Sequence, residues 1–199
     1  MPDNDRASSE NRGRISPTKF AHFVVRTTPE CFEEMVHWYR NLLNAEIVFQ
    51  NPFSCFMTYD SEHHRAAIIA IPGLVERPDN AVGVDHVAFT FANIGDLLFT
   101  YERLAAQGIT PAMPMHHGPT LSMYYQDPQK NQVELQIDVF ETADETDAFL
   151  KSEAFARNPI GVMFDPAELS KRHREGVPEA ELIAPLDGPP PGPFDWPAH

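Results

Sequence analysis

Three positions in this chain carry side chains able to do metal chemistry together: His22 in KFAHFVVR, His86 in GVDHVAFT and Glu134 in NQVELQI. Two imidazoles and one carboxylate form the facial set that holds a mononuclear non-haem Fe(II), leaving positions open for a substrate and for oxygen. Alone, each residue has a plainer use. A glutamate on an alternating strand usually meets solvent, and a histidine on a strand usually makes a structural hydrogen bond. The elements that carry them must therefore decide.

Glu134 lies on a run in which Val133, Leu135 and Ile137 point one way and Glu134, Gln136 and Asp138 the other. That run closes the second of two copies of one pattern. In the first copy, residues 19–26 read as a strand. Thr28 and Pro29 offer an N-cap and a first helical position, and Phe32, Met35, Val36, Tyr39, Leu42 and Leu43 recur at helical spacing. Strand-like runs follow near 45–50, 53–59 and 65–71. The second copy has a strand over 83–90, a helix capped by Asn93 and closed by Gly108, and strands near 109–114, 119–126 and 131–138. Strand, helix and three strands thus occur twice, which predicts an α+β fold of two βαβββ modules forming a cupped mixed sheet. Superposed, the copies put His22 on His86, so both project into one concave surface if the modules pair. The first module has no matching carboxylate, because its last strand is the apolar RAAIIAI.

The predicted organisation is an N-terminal arm over 1–17, modules over 18–72 and 82–140, a helical extension over 141–185 and a Pro-rich tail over 186–199. The last fifteen residues, PLDGPPPGPFDWPAH, hold six prolines and two glycines and read as an extended tail pinned by Phe194 and Trp196. The extension reads as a helix over 142–156, the turn Asn158-Pro159 and a short helix over 165–175.

A formal charge of −14 on 199 residues argues against a nucleic-acid surface or an anionic membrane surface as partner. Cys31 and Cys55 form no CxxC pair and suggest no disulfide framework. The polar N-terminus lacks the apolar stretch of a signal peptide, and a cytoplasmic protein is expected.

The repeated unit, with AHFVV, DHVAF and QVELQ on its strands, resembles the vicinal oxygen chelate superfamily (glyoxalase, bleomycin resistance and dioxygenase proteins) over about residues 18–140. Within it the chain is most similar to type I extradiol ring-cleaving dioxygenases. The resemblance implies that His22, His86 and Glu134 bind Fe(II), with Mn(II) accepted by the same donors. It also implies a catalytic histidine in an H-H motif leading into a strand, met here by His64 of His63-His64-Arg65. His64 precedes His86 by twenty-two residues, more than the family's spacing, and the excess falls in the loop 72–84. The family's active-site tyrosine, ten residues before the metal glutamate, is matched by Tyr124, and its further upstream histidine by His116 or His117. A catecholic substrate and O2 are the implied partners, in a homo-oligomer. His64 would take a hydroxyl proton, since an imidazole titrating near about 6.5 suits that work. Tyr124 would hydrogen-bond a ring oxygen.

Two other activities belong to the same scaffold: a glyoxalase-like metal-dependent isomerase or lyase, and a non-enzymatic protein that sequesters small molecules. The first calls for a fourth protein ligand, which the apolar strand at 65–71 does not offer. His37 reads as a helix-boundary residue, His173 as solvated, and Phe53, Phe56 and Met57 as core or pocket wall.

Overall fold

A computed structural model describes residues 16–78, 81–186 and 188–189. Most of the predicted arm, and the tail aromatics Phe194 and Trp196, lie outside the described residues.

Both modules form, and their strand orders match. Sheet A has the order β1-β4-β3-β2, from β1 (Phe23–Thr27), β2 (Glu46–Asn51), β3 (Ser54–Thr58) and β4 (Ala66–Ala70). Sheet B has the order β5-β8-β7-β6-β9, from β5 (His86–Thr90), β6 (Met113–His116), β7 (Thr120–Gln126), β8 (Gln132–Asp138) and β9 (Val162–Met163). In each sheet the first strand runs parallel to the fourth and the other pairs are antiparallel. The short β9 is supplied by the extension and was not anticipated.

One helix covers each sheet. Helix α1 (Phe32–Leu43) buries Phe32, Met35, Val36, Tyr39 and Leu42, the residues whose spacing predicted it, and ends at Asn44 in the left-handed conformation (φ 48°). A 3-10 turn over Pro29–Cys31 precedes it, and Thr28 makes no side-chain cap. Helix α2 (Ile94–Ala105) begins as expected, with the Asn93 side chain accepting from the Asp96 N–H at 2.8 Å. A continuous core joins both helices to Cys55, Met57, Ile68, Leu121, Met123, Val133, Leu135 and Ile137.

The predicted helix over 142–156 is two helices, α3 (Ala143–Leu150) and α4 (Glu153–Arg157). Ser152 makes the break by capping the second helix, accepting from Phe155 N–H at 3.2 Å. Helices α5 (Pro166–Arg174) and α6 (Glu179–Leu182) follow, and Leu169 and Leu182 join the core. Gly161, at φ +115°, lets this segment run close against sheet B. A Cβ there would lie 2.4 Å from the His116 carbonyl oxygen and 2.9 Å from His117 Cα.

Candidate active site

Register places one face of each sheet in correspondence. Across sheet B, Ala88, Glu134, Tyr124 and Met113 form a row of directly paired residues. Across sheet A the same row reads Val24, Ala67, Phe56 and Phe49. Ala67 therefore stands where Glu134 stands, and Phe56 where Tyr124 stands. This is the structural form of the missing fourth carboxylate.

Glu134 does not meet solvent: it is 4% exposed, and its Oε2 lies 3.0 Å from His86 Nε2. His86 opens β5, and its Nδ1 lies 2.7 Å from a carboxylate oxygen of Asp85. The imidazole is thus held between two carboxylates. Asp85 can keep Nδ1–H while Nε2 is left for another partner, the arrangement in which an outer carboxylate orients a metal-binding histidine.

Tyr124 meets the His86 ring edge-on, with centroids 5.2 Å apart. Burial, and then the Glu134 charge, push its phenol well above the ordinary tyrosine range, so it holds its proton. The hydroxyl lies 2.9 Å from His117 Nε2. On the other side of that ring, Nδ1 meets the Ile160 carbonyl, which can only accept. Nδ1 therefore carries a proton, and the single Tyr124 O–H lies within reach of both His117 Nε2 and Glu134. The backbone of 158–161 that carries this carbonyl is fixed by Asn158. Its Nδ2 donates to the carbonyls of Gly161 (2.9 Å) and Gly188 (3.1 Å), and its Oδ1 accepts from the N–H groups of Ile160 (3.2 Å) and Gly161 (2.9 Å).

Of the adjacent pair, only His117 turns towards Tyr124. His116 pairs with Leu121 in the ladder and faces the extension; it is 2% exposed. Its Nε2–H donates to the Ile183 carbonyl at 3.0 Å and its Nδ1 accepts from Gly118 N–H at 3.1 Å. Both nitrogens are used, and burial holds the ring below the ordinary imidazole range, in its neutral form. The structure gives it a tethering place rather than one beside Tyr124.

His22 and His64 form a second cluster. His64 stacks on Phe56 (centroids 5.2 Å apart, planes at 23°) and meets His22 at 4.3 Å and His63 at 4.5 Å. Partial desolvation, and then the neighbouring imidazoles, lower its pKa from the ordinary value. His22, one residue before β1, is exposed.

The two clusters do not converge. Among the described residues no three His, Cys, Asp or Glu side chains come together as a metal site. Two of the three expected donors, His86 and Glu134, are thus in contact, and His22 lies against His64. A cleft of about 600 Å³ lies between β1, β5 and residues 74–78 and 81–84; Arg26, Tyr39, Arg77, Asp85 and His86 are among its walls. It reaches His86 but not Glu134, Tyr124, His117 or His64, so it is an approach to the site and not the chemical centre.

Sequence reasoning gave no role to Asp85, Asn158, Ile160 or Gly161. Asp85 sits inside the DHVAF motif, and its adjacency to His86 was the available signal. The other three act through backbone geometry that no residue spacing encodes.

The family model described as Glyoxalase/Bleomycin resistance protein/Dioxygenase superfamily matches residues 19–135. The chain is 44% identical over 166 residues to biphenyl-2,3-diol 1,2-dioxygenase 3 of Rhodococcus globerulus, covering 82% of this chain and 86% of that protein. It is 45% identical over 161 residues to biphenyl-2,3-diol 1,2-dioxygenase 2 of the same organism, covering 80% and 84%. Among solved structures, a glyoxylase/bleomycin resistance protein/dioxygenase domain from Frankia sp. EAN1pec shares the fold. Its TM-score is 0.51 at 16% identity, over 62% of this chain and 99% of that one.

Proposed function

Because the chain belongs to the Glyoxalase/Bleomycin resistance protein/Dioxygenase superfamily, we propose that it is a metal-dependent extradiol dioxygenase. The substrate is a catechol of the 2,3-dihydroxybiphenyl kind. The observation that carries this reading is the contact set of buried Glu134 and Tyr124 with half-buried His86 and His117, in a chain 44% identical to a biphenyl-2,3-diol 1,2-dioxygenase. In the reaction, the bond between a hydroxylated ring carbon and its unhydroxylated neighbour breaks. Both atoms of O2 enter the product, one as a carbonyl oxygen and one in a carboxylate.

Fe(II) is the proposed metal, with His86, Glu134 and His22 as its protein donors; when bound it supplies the centre at which diol and O2 meet. The chain's own residues supply the rest. Tyr124, kept protonated beside His117 and Glu134, would turn its single O–H from them to a ring oxygen of the substrate and stabilise negative charge there. His64, whose lowered pKa leaves it neutral near pH 7, accepts a proton from the diol. Phe56, stacked on His64, and Phe49 beside it give an aromatic wall for the second ring.

An isomerase of the glyoxalase kind would want a carboxylate at the position Ala67 holds. No helix among the described residues is long and apolar enough to cross a membrane. Cys31 and Cys55 are free thiols, which suits the reducing cytoplasm proposed for it.

The test is oxygen consumption by protein reconstituted with Fe(II) under anaerobic conditions, against a panel of catechols and a hemithioacetal. Oxygen uptake with a yellow product from a bicyclic catechol is expected. Turnover of the hemithioacetal without oxygen uptake would overturn the reading.

A further inference from the structure

We infer that Arg65, the third residue of His63-His64-Arg65, is a positioning residue for the proposed reaction. Its guanidinium clamps the chain ahead of β1 and so holds His22 against His64. The inference rests on the dioxygenase reading, in which His22 is a metal donor and His64 takes a proton, and it adds a residue to that site.

The first observation is how little else holds His22. It stands one residue before β1, and the β1–β4 ladder begins after it, with Phe23 paired to Ala66. Residues 16–22 are all exposed, Phe20 at 64%, so neither strand pairing nor burial fixes them. The His22 ring nevertheless sits 4.3 Å from the His64 ring, centroid to centroid. An untethered segment facing solvent would spread His22 over many positions.

The second observation is where the Arg65 side chain goes. Its Nη1 donates to the carbonyls of Phe20 and Ala21, the latter at 3.0 Å, and these are the two residues directly before His22. The other edge of the guanidinium lies on Asp60. Nε reaches both carboxylate oxygens, at 3.2 and 3.0 Å, and Nη2 reaches Oδ2 at 2.9 Å. Asp60 is fixed in turn by the Glu62 N–H, which donates to its Oδ1 at 2.9 Å. A planar guanidinium can grip a carboxylate along one edge while its remaining nitrogen serves carbonyls. A lysine ammonium, a point donor on a flexible stem, does not hold both in one geometry.

The third observation is what the Arg65 backbone does. Its N–H donates to the Met57 carbonyl on β3 at 2.8 Å, and its carbonyl accepts from the Phe23 N–H on β1 at 3.1 Å. His64 precedes it and stacks on Phe56, the neighbour of Met57. The backbone bonds hold His64 and survive a change of side chain. Only the guanidinium reaches past Phe23 to the residues before His22. Replacing the side chain therefore separates the two histidines without unseating His64.

Arg65→Met tests the clamp with and without metal. In metal-free wild type, NMR should show an NOE between the His22 and His64 ring protons. In Arg65→Met that NOE should be lost while the one between His64 and Phe56 stays. Chelator competition should show the affinity for Fe(II) lowered about 10–100-fold, the usual cost of releasing a ligand from its support. Lys19→Ala removes only the exposed Lys19–Glu62 pair of the same segment and should leave both readouts at the wild-type level. An NOE that persists in Arg65→Met would overturn the inference, and so would its loss with iron affinity unchanged. Loss of the Phe56 contact as well, or equal losses in Lys19→Ala, would make Arg65 a residue of the fold and equally overturn it. Should the urea transition show Arg65→Met unfolded, Asp60→Ala, which leaves the guanidinium unanchored, is read by the same outcomes. Wild-type protein that shows the NOE and takes up no iron would instead remove the dioxygenase reading, and with it the role given to the clamp.

Discussion

Replacing Asn158 by alanine should loosen both the extension and the residue it aims. Its side chain makes four hydrogen bonds, two given to the carbonyls of Gly161 and Gly188 and two received from the N–H groups of Ile160 and Gly161. A net value of about 0.5–1.5 kcal/mol per bond, reduced where water can replace the lost partner of this half-buried residue, gives a loss of roughly 2–4 kcal/mol. The loss should read out as a lower urea midpoint at unchanged m-value. The Ile160 carbonyl is then free to leave His117 Nδ1, so the tautomer is no longer fixed. In the wild type, imidazole nitrogen NMR should show Nδ1 protonated. In Asn158→Ala both tautomers should be populated. Gly161→Ala should do more damage, since its Cβ would lie 2.4 Å from the His116 carbonyl oxygen in a positive-φ conformation. An Asn158→Ala variant within about 0.5 kcal/mol of wild type, with the His117 tautomer unchanged, would refute the reasoning.

Three further outcomes follow from the same geometry. Burial lowers the folded-state pKa of His116, so the unfolded chain binds more protons once the pH falls below the ordinary imidazole value. The stabilising contribution is complete above pH ~6.5 and falls by up to about 1.4 kcal/mol per unit of acidification until the folded pKa is reached. His116→Gln should lose that pH dependence in urea unfolding measured from pH 7.5 to 5.5, and parallel curves for variant and wild type would contradict this. Tyr39→Phe removes the hydroxyl that donates to buried Asp127 at 3.0 Å and should cost about 2 kcal/mol by the same assay; a change under about 0.5 kcal/mol would show that the Gln129 and Asn131 donors suffice. His64→Phe should retain iron and lose turnover by about 10²-fold or more, and a variant that cleaves catechols at the wild-type rate would remove His64 from the mechanism.

Much of the fold was legible because local and global signals agree. The alternation in NQVELQI separated Val133, Leu135 and Ile137 from Glu134, and the repeat placed His22 and His86 at equivalent starts of β1 and β5. The apolar strand RAAIIAI announced the missing carboxylate, which register now locates at Ala67. What failed to show was non-local. Pseudo-symmetry put His22 and His86 at equivalent positions, but it could not say that His22 would lie against His64 and His86 against Glu134. His116 and His117 could not be told apart until β9, formed across forty-odd residues of chain, paired Val162 with His116 and left His117 beyond the ladder facing Tyr124. The predicted helix over 142–156 had apolar spacing enough to look continuous, yet the Ser152 hydroxyl ends it by a local bond.

The proposed reaction opens a catechol ring by adding both atoms of O2. Its most direct test is a reaction of the Fe(II)-loaded protein with 2,3-dihydroxybiphenyl under ¹⁸O-labelled dioxygen, followed by mass spectrometry of the product. A yellow ring-opened acid carrying both labelled atoms is expected. Unlabelled or intact diol, with iron verified in place, would contradict it.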